Sequence, residues 1–268
     1  MRRLLVAVLA AGMAATMAAA ASARPAAPPT LKAGTLTVGM APPAVGFVVG
    51  TIQGNKINNP KGFEIDLANA IAAKLGITKI EWVNVPWAGL FRPGPKNFDF
   101  TFEEATITAQ REKTIDFSVP YFIANQGVLL KNGLSAPKSL ADVKKLQLCT
   151  QTATTGLDWV QTKLRPAKQP QIYQTTSAAF TAVQVGRCDA FIMDIPIVAS
   201  QKKLKPSAYG PIAGQIDTNE NYGAVLASGS KLKSLVNQAI SALTADGTIG
   251  KLQKKWFNID FSKVPVLK

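Results

Sequence analysis

The sequence predicts an α/β fold of two lobes. Three observations point there: strand-like and helical patterns alternate from residue 36 onward, residues 146–194 form a βαβαβ run complete in itself, and two helical stripes close the chain. Such alternation builds parallel sheets covered by helices.

The elements follow in order. Residues 36–40 form a short β-rich run. Residues 63–75 carry a helical pattern in which Ile65, Ala68, Ile71, Ala72 and Leu75 share one face while Glu64, Asp66, Asn69 and Lys74 take the other, with Gly76 as the stop. A strand is expected at 80–83. Phe98, Phe100 and Phe102 then alternate with Asp99 and Thr101, the pattern of a strand with one apolar face. In the middle of the chain, strands at 146–150, 171–173 and 189–194 are separated by helices at 156–164 and 177–185, and Gly186 stops the second helix. Pro196 suits the first turn of a further helix. Near the C-terminus Leu232, Leu235, Val236, Ala239, Ile240 and Leu243 form one stripe. Asp246-Gly247 turns the chain into a second stripe of Ile249, Leu252 and Trp256.

This order divides the chain. Residues 33–124 and 219–268 are expected to form lobe 1 and residues 125–218 lobe 2, with extended bridges near 121–130 and 218–226. On that reading lobe 2 is an insertion into lobe 1.

Composition removes several functions. The chain has 268 residues, no histidine and two cysteines, so histidine-based nucleophile systems, histidine-ligated zinc and four-thiolate metal sites are excluded as usually built. No cofactor or metal is expected. The net charge of +14 is spread out: Lys144-Lys145, Lys202-Lys203 and Lys254-Lys255 lie far apart, with acids interspersed. Nucleic-acid binding needs clustered charge, so no nucleic-acid partner is expected.

Residues 1–23 read as an address. Arg2 and Arg3 precede an uncharged stretch from Leu4 to Ala20, and Ala21-Ser22-Ala23 supplies small residues for cleavage. The expectation is a secretory signal peptide cut after Ala23, leaving 245 residues with a charge of +12. Residues 24–32, with Pro25, Pro28 and Pro29, would be a tether. The mature chain is expected to be periplasmic or secreted.

Open α/β sheets bind small molecules at the C-terminal ends of their strands. Thr106, Thr108 and Arg111 follow the 98–102 strand, Thr154 and Thr155 follow 146–150, and Asp194 ends its own strand. A guanidinium suits a carboxylate and an Asp suits an ammonium. Together they complement an amino-acid zwitterion.

The mature chain resembles the extracytoplasmic solute-binding proteins, family 3, of polar amino-acid ABC transporters. The resemblance is carried by Gly62-Phe63-Glu64-Ile65-Asp66-Leu67-Ala68, by Thr106-Ile107-Thr108 with Arg111, and by Asp116-Phe117-Ser118-Val119-Pro120-Tyr121. Gly186-Arg187-Cys188-Asp189-Ala190 with Asp194, and Asp246-Gly247-Thr248 with Lys255-Trp256-Phe257, complete it. It implies the periplasmic-binding-protein fold with a two-strand hinge, and a monomer that delivers an amino acid to an ABC permease. Arg111 would hold the ligand carboxylate with Thr106 and with the backbone and hydroxyl of Thr155, Thr154 standing beside them, and Asp194 would accept from the α-ammonium. Trp87 would pack on the ligand side chain, and Phe47, in the loop after the first strand, is a further candidate to line the ligand. The competing readings are structural: Arg111 paired with Glu112 or Asp116, Asp194 or the threonines as helix caps or turn residues, Trp87 and Phe47 as core.

Departures from the family pattern carry information too. Glu104, preceded by Glu103, stands where the family often has glycine, and Ala153 stands where glycine is usual before Thr154-Thr155. Ala41 and Ala44 replace larger first-loop residues and enlarge that side of the site. Glu103 or Glu104 facing the ligand would select a cationic or hydrogen-bond-donating side chain; facing solvent or a lysine, neither would. Cys149 lies six residues before Thr155 and Cys188 six before Asp194, so if those endpoints meet one ligand the cysteines sit at a similar level. In an exported chain they are a disulfide or two buried thiols. The family fold also hosts cyclohexadienyl-type dehydratases and ligand-presenting sensor components. No nucleophile and base form a recognisable set here, so no enzyme activity is expected.

Overall fold

The computed structural model describes residues 27–258 and 261–268. The signal-peptide expectation lies outside the described residues, as does the start of the tether.

Two sheets organise the chain. The first has the order β2-β3-β4-β1-β5-β12-β6, from β1 (Thr35–Met40), β2 (Val49–Gln53), β3 (Lys56–Lys61), β4 (Lys79–Asn84), β5 (Phe100–Thr101), β6 (Ile115–Ile123) and β12 (Asn221–Ala227). The second has the order β11-β7-β10-β8-β9, from β7 (Gln126–Leu130), β8 (Leu148–Gln151), β9 (Gln171–Tyr173), β10 (Ala190–Asp194) and β11 (Ile212–Ile216). The second sheet is therefore inserted between β6 and β12 of the first. The chain crosses at β6–β7 and returns at β11–β12.

The parallel pairing inferred from the alternation forms the heart of each sheet: β1 with β4 and β5, and β8 with β10 and β9. The flanking pairs are antiparallel because the crossing strands enter from the other lobe: β12 with β5 and β6, and β7 with β10 and β11. The β2–β3 hairpin was not legible. Its turn at Gly54-Asn55 joins mostly exposed strands without alternation.

Helices cover the sheets. They are α1 (Phe63–Lys74), α2 (Trp87–Leu90), α3 (Leu140–Val143), α4 (Thr155–Trp159), α5 (Thr176–Gln184), α6 (Ile195–Leu204), α7 (Lys233–Ala245) and α8 (Thr248–Trp256). Among the described residues, six of them stand where the sequence pattern placed them and two short ones, α2 and α3, where it gave no signal. Past Trp159, α4 continues as a wider π turn through Val160–Leu164 and ends at Arg165 with φ 51°.

Two assignments of face need correction. Glu64, expected on the polar side of α1, is fully buried, because the first turn of the helix points under the sheet toward Tyr121. Asp99 and Thr101 are also buried, since β5 lies inside the sheet with packing on both sides. Asp99 is satisfied by the amides of Leu31 and Thr37, each at 2.7 Å.

The entry to α1 is fixed by a close approach. Gly62 adopts φ 145°, and a Cβ there would lie 1.9 Å from the Phe47 carbonyl oxygen. That contact seats the first loop against the helix, where the amides of Phe63 and Glu64 donate to the carbonyls of Gly46 and Phe47.

Cys149 of β8 and Cys188, just before β10, are joined as a disulfide with Cα atoms 5.8 Å apart and a sequence separation of 39. Closing a loop of that length contributes about 2–4 kcal/mol. Denatured, unreduced protein should accordingly show no reactive thiol, and reduction should expose two and lower the thermal midpoint. Two free thiols before reduction would contradict the pairing.

Candidate functional site

A cleft of about 560 Å³ receives loops from both lobes: Ala41 and Ala44 after β1, Trp87 of α2, Glu103 to Arg111 after β5, Thr154 and Thr155 after β8, and Asp194 at the end of β10. A second concavity of about 740 Å³ is lined by apolar residues such as Phe122, Ile123, Phe257 and Phe261 together with the amides of Asn125, Gln215, Gln253 and Asn258. Its one charged lining residue among those described is Lys254. Only the first brings opposite charges together.

Asp194 occupies the N-cap position of α6 but makes no capping bond. Its carboxylate is buried and accepts from Gln126 Nε2 at 2.6 Å and from the Tyr222 hydroxyl at 2.5 Å. Burial, reinforced by the charge of Glu220, pushes it up to about 7, against the opposing effect of those hydrogen bonds and of Arg111. It therefore changes charge near neutrality and gains from a cation beside it.

Arg111 opens a single 3₁₀ turn and reaches across the cleft. Its Nη1 donates to the Thr106 carbonyl at 2.7 Å and its Nη2 to the Ala153 carbonyl of the other lobe at 3.0 Å. The guanidinium carbon stands 4.0 Å from the centre of the Phe91 ring and 5.3 Å from that of Trp87. Burial lowers its pKa to about 10, countered by Asp194 and Glu220, so it stays protonated at neutral pH. Asp116 pairs with Lys233 instead.

The threonines divide in role. Thr154 caps α4, accepting from the Leu157 amide at 3.1 Å while donating to the Gln151 carbonyl at 2.7 Å, so its hydroxyl is committed to the fold although it lines the cleft. Thr106 and Thr155, from opposite lobes, both donate to Glu220 Oε2, at 3.0 and 2.6 Å.

Trp87 lines the cleft, stands perpendicular to Phe91 and donates from Nε1 to the Thr152 carbonyl at 3.2 Å. Phe47 does not reach it. The ring is fully buried among Phe63, Phe122, Tyr222 and Phe257, with centroids 4.7 to 6.1 Å away, because the Gly62 contact turns its loop inward. Phe47 is core.

Glu103 and Glu104 both line the cleft and both hold left-handed backbone, with φ 54° and 49°, and Ala153 does the same at 59°. Positive φ explains why glycine suits the positions of Glu104 and Ala153. Glu103 Oε1 accepts from Thr101 at 3.1 Å, and Glu104 donates its amide to Glu64 Oε1 at 3.1 Å. Glu64 Oε2, Glu103 Oε2 and Glu104 Oε1 are buried without a hydrogen-bond partner among the described residues. Burial pushes all three carboxyls up, Glu64 to about 7, with mutual repulsion adding for Glu103 and Glu104.

Two residues escaped sequence reasoning. Gln126, the first residue of β7, is fully buried at the crossing and touches Asp194, Thr155 and Glu220. Its neighbour Gly156 leaves it room, since a Cβ there would lie 2.5 Å from Gln126 Oε1. Glu220 sits just before β12 in a run of polar residues, with no motif around it. The position of both in the expected bridges was the one available signal.

Two α/β lobes joined by two crossings, each lining one charged cleft, define a two-lobed solute-binding protein. Residues 36–259 match the family described as bacterial extracellular solute-binding proteins, family 3, and the chain belongs to that family. It is similar to the L-cystine-binding protein TcyJ of Escherichia coli, 27% identical over 87% of this chain and 86% of that one. It is also similar to a probable histidine-binding protein of Neisseria gonorrhoeae, 31% identical over 74% of this chain and 75% of the relative. Among solved structures, an ancestral arginine-binding protein bound to glutamine superposes with a TM-score of 0.75 at 32% identity, covering 85% of this chain and all of that one. Among the described residues no helix is long and apolar enough to cross a membrane.

A carboxyl raised on folding holds its proton more tightly in the folded state, so stability should fall as pH rises from 4.5 toward 7. The loss should be on the order of 1–3 kcal/mol in urea unfolding, and Glu64→Gln should reduce the slope. A flat wild-type profile through that window would contradict the burial argument.

Proposed function

We propose that the chain binds an amino acid between its lobes outside the cytoplasm and presents it to an ABC permease. The observation that carries this is the placing of Arg111 and Asp194, from different lobes, on one cleft. Arg111 faces the α-carboxylate with Thr106 and Thr155, Asp194 accepts from the α-ammonium, and Trp87 packs on the side chain. Contacts made to both lobes at once favour the closed arrangement, which is how a ligand shifts a hinge equilibrium. Micromolar affinity needs about 8 kcal/mol, within reach of one such zwitterion.

The side chain is read as cationic or rich in hydrogen-bond donors. Glu103 and Glu104 line the cleft with unpartnered oxygens, and a positive group there would relieve both their desolvation and their mutual repulsion. The reading includes secretion with cleavage after Ala23, action as a monomer, and binding without chemical change. The dehydratase alternative lacks a nucleophile and base set. A sensor role would use the same binding chemistry.

Arg111→Ala and Asp194→Ala should each weaken amino-acid binding at least about 100-fold, with unchanged circular dichroism; near wild-type affinity removes that residue from the site. In calorimetry with arginine, glutamine, glutamate and leucine, arginine should bind tightest. A preference for glutamate or leucine would refute the side-chain assignment, and turnover of prephenate or arogenate would refute the non-catalytic reading.

A further inference from the structure

The groups assigned to a ligand carboxylate already hold a carboxylate of the protein. Thr106 and Thr155 both direct their hydroxyl protons at Glu220 Oε2, and Gln126 Nε2 stands 3.2 Å from each Glu220 oxygen. The charge of Glu220 also acts on Arg111. The main chain fixes this placement, because the Ala124 amide donates to the Glu220 carbonyl at 2.9 Å and ties the two crossings together.

A hydroxyl has one proton to donate. When both threonine hydroxyls give their protons to Glu220, those hydroxyls can only accept from a ligand, which suits N–H groups and gives a carboxylate two donors fewer. The local charges agree: Asp194, Glu103 and Glu104 line the same cleft as Arg111, and Glu220 is bonded to the cleft residues Thr106 and Thr155. We infer that Glu220 is an internal surrogate for the ligand's α-carboxylate. It biases the site toward amine-bearing solutes whose carboxyl group is masked or missing, and a free amino acid must displace it from Thr106 and Thr155. The inference rests on the amino-acid reading above for the position of the carboxylate contacts. It sharpens that reading to a class of amines and amino-acid amides.

The test compares free amino acids with their α-carboxamides. Calorimetry on wild-type protein with arginine, lysine, glutamine and histidine, each beside its α-carboxamide, gives the ratio of the two dissociation constants for the tightest side chain. The inference expects a wild-type ratio within about tenfold of one. It also expects Glu220→Gln to tighten the free acid by at least about tenfold while moving the amide by less than about threefold. A wild-type amide more than about 100-fold weaker than the acid overturns it, as does a Glu220→Gln variant that binds the acid no better than wild type. Since the wild-type ratio needs no variant, a folding defect in Glu220→Gln leaves the test intact. Binding of amides but no free acid would support the surrogate and refute delivery of free amino acids. Binding of the acid alone would do the reverse.

Discussion

The bonds that hold the Asp194 carboxylate decide the geometry of everything around it. Asp194 ends β10 of the inserted lobe, yet its two donors come from the two crossings: Gln126 at the start of β7 and Tyr222 on β12. The one carboxylate thus ties the end of β10 to both crossing strands. Buried without those donors it would be a costly charge; with them it is held at a fixed point on the cleft, close to neutrality, where a cation changes its state.

A similar arrangement recurs one layer down. Tyr121 on β6 donates to Glu64 as Tyr222 on β12 donates to Asp194, so each crossing strand of lobe 1 delivers a tyrosine hydroxyl to a buried carboxyl. Glu103 and Glu104 add two more carboxyls between them. Burial and mutual repulsion disfavour their ionisation together, and a positive charge placed beside them would relieve both. Arg111, wedged against Phe91 and Trp87, keeps the opposite charge at the other side of the cleft. The basic balance of the chain as a whole therefore says nothing about the site, whose carboxyl groups outnumber its one guanidinium.

The fold was largely legible because periodicity reports burial on one face, as in α1, α5 and α7 and in the βαβαβ run. It failed where a residue is buried from both sides or for a polar reason. Glu64 and Asp99 are charged and buried, and nothing local to either distinguishes them from surface acids. Phe47 shows the opposite error: an aromatic in a loop at the right place along the chain was assigned to the cleft, whereas the Gly62 contact turns it into the core. Residues at strand ends, Arg111, Thr155 and Asp194, could be found because topology brings such ends together. Gln126 and Glu220 act from within the crossings, and only the spatial meeting of distant segments reveals them. The glycine departures at Glu104 and Ala153 were visible, but their left-handed backbone was not.

In the proposed function one cationic or donor-rich solute is held between Arg111 and Asp194. Mass spectrometry of the small molecules released when natively purified protein is denatured tests it most directly. An amine-bearing amino acid or amino-acid derivative should be released from the wild type and be absent from Arg111→Ala prepared alongside. Release of an acidic or purely apolar solute from the wild type, or the same solute in equal amount from both proteins, would contradict it.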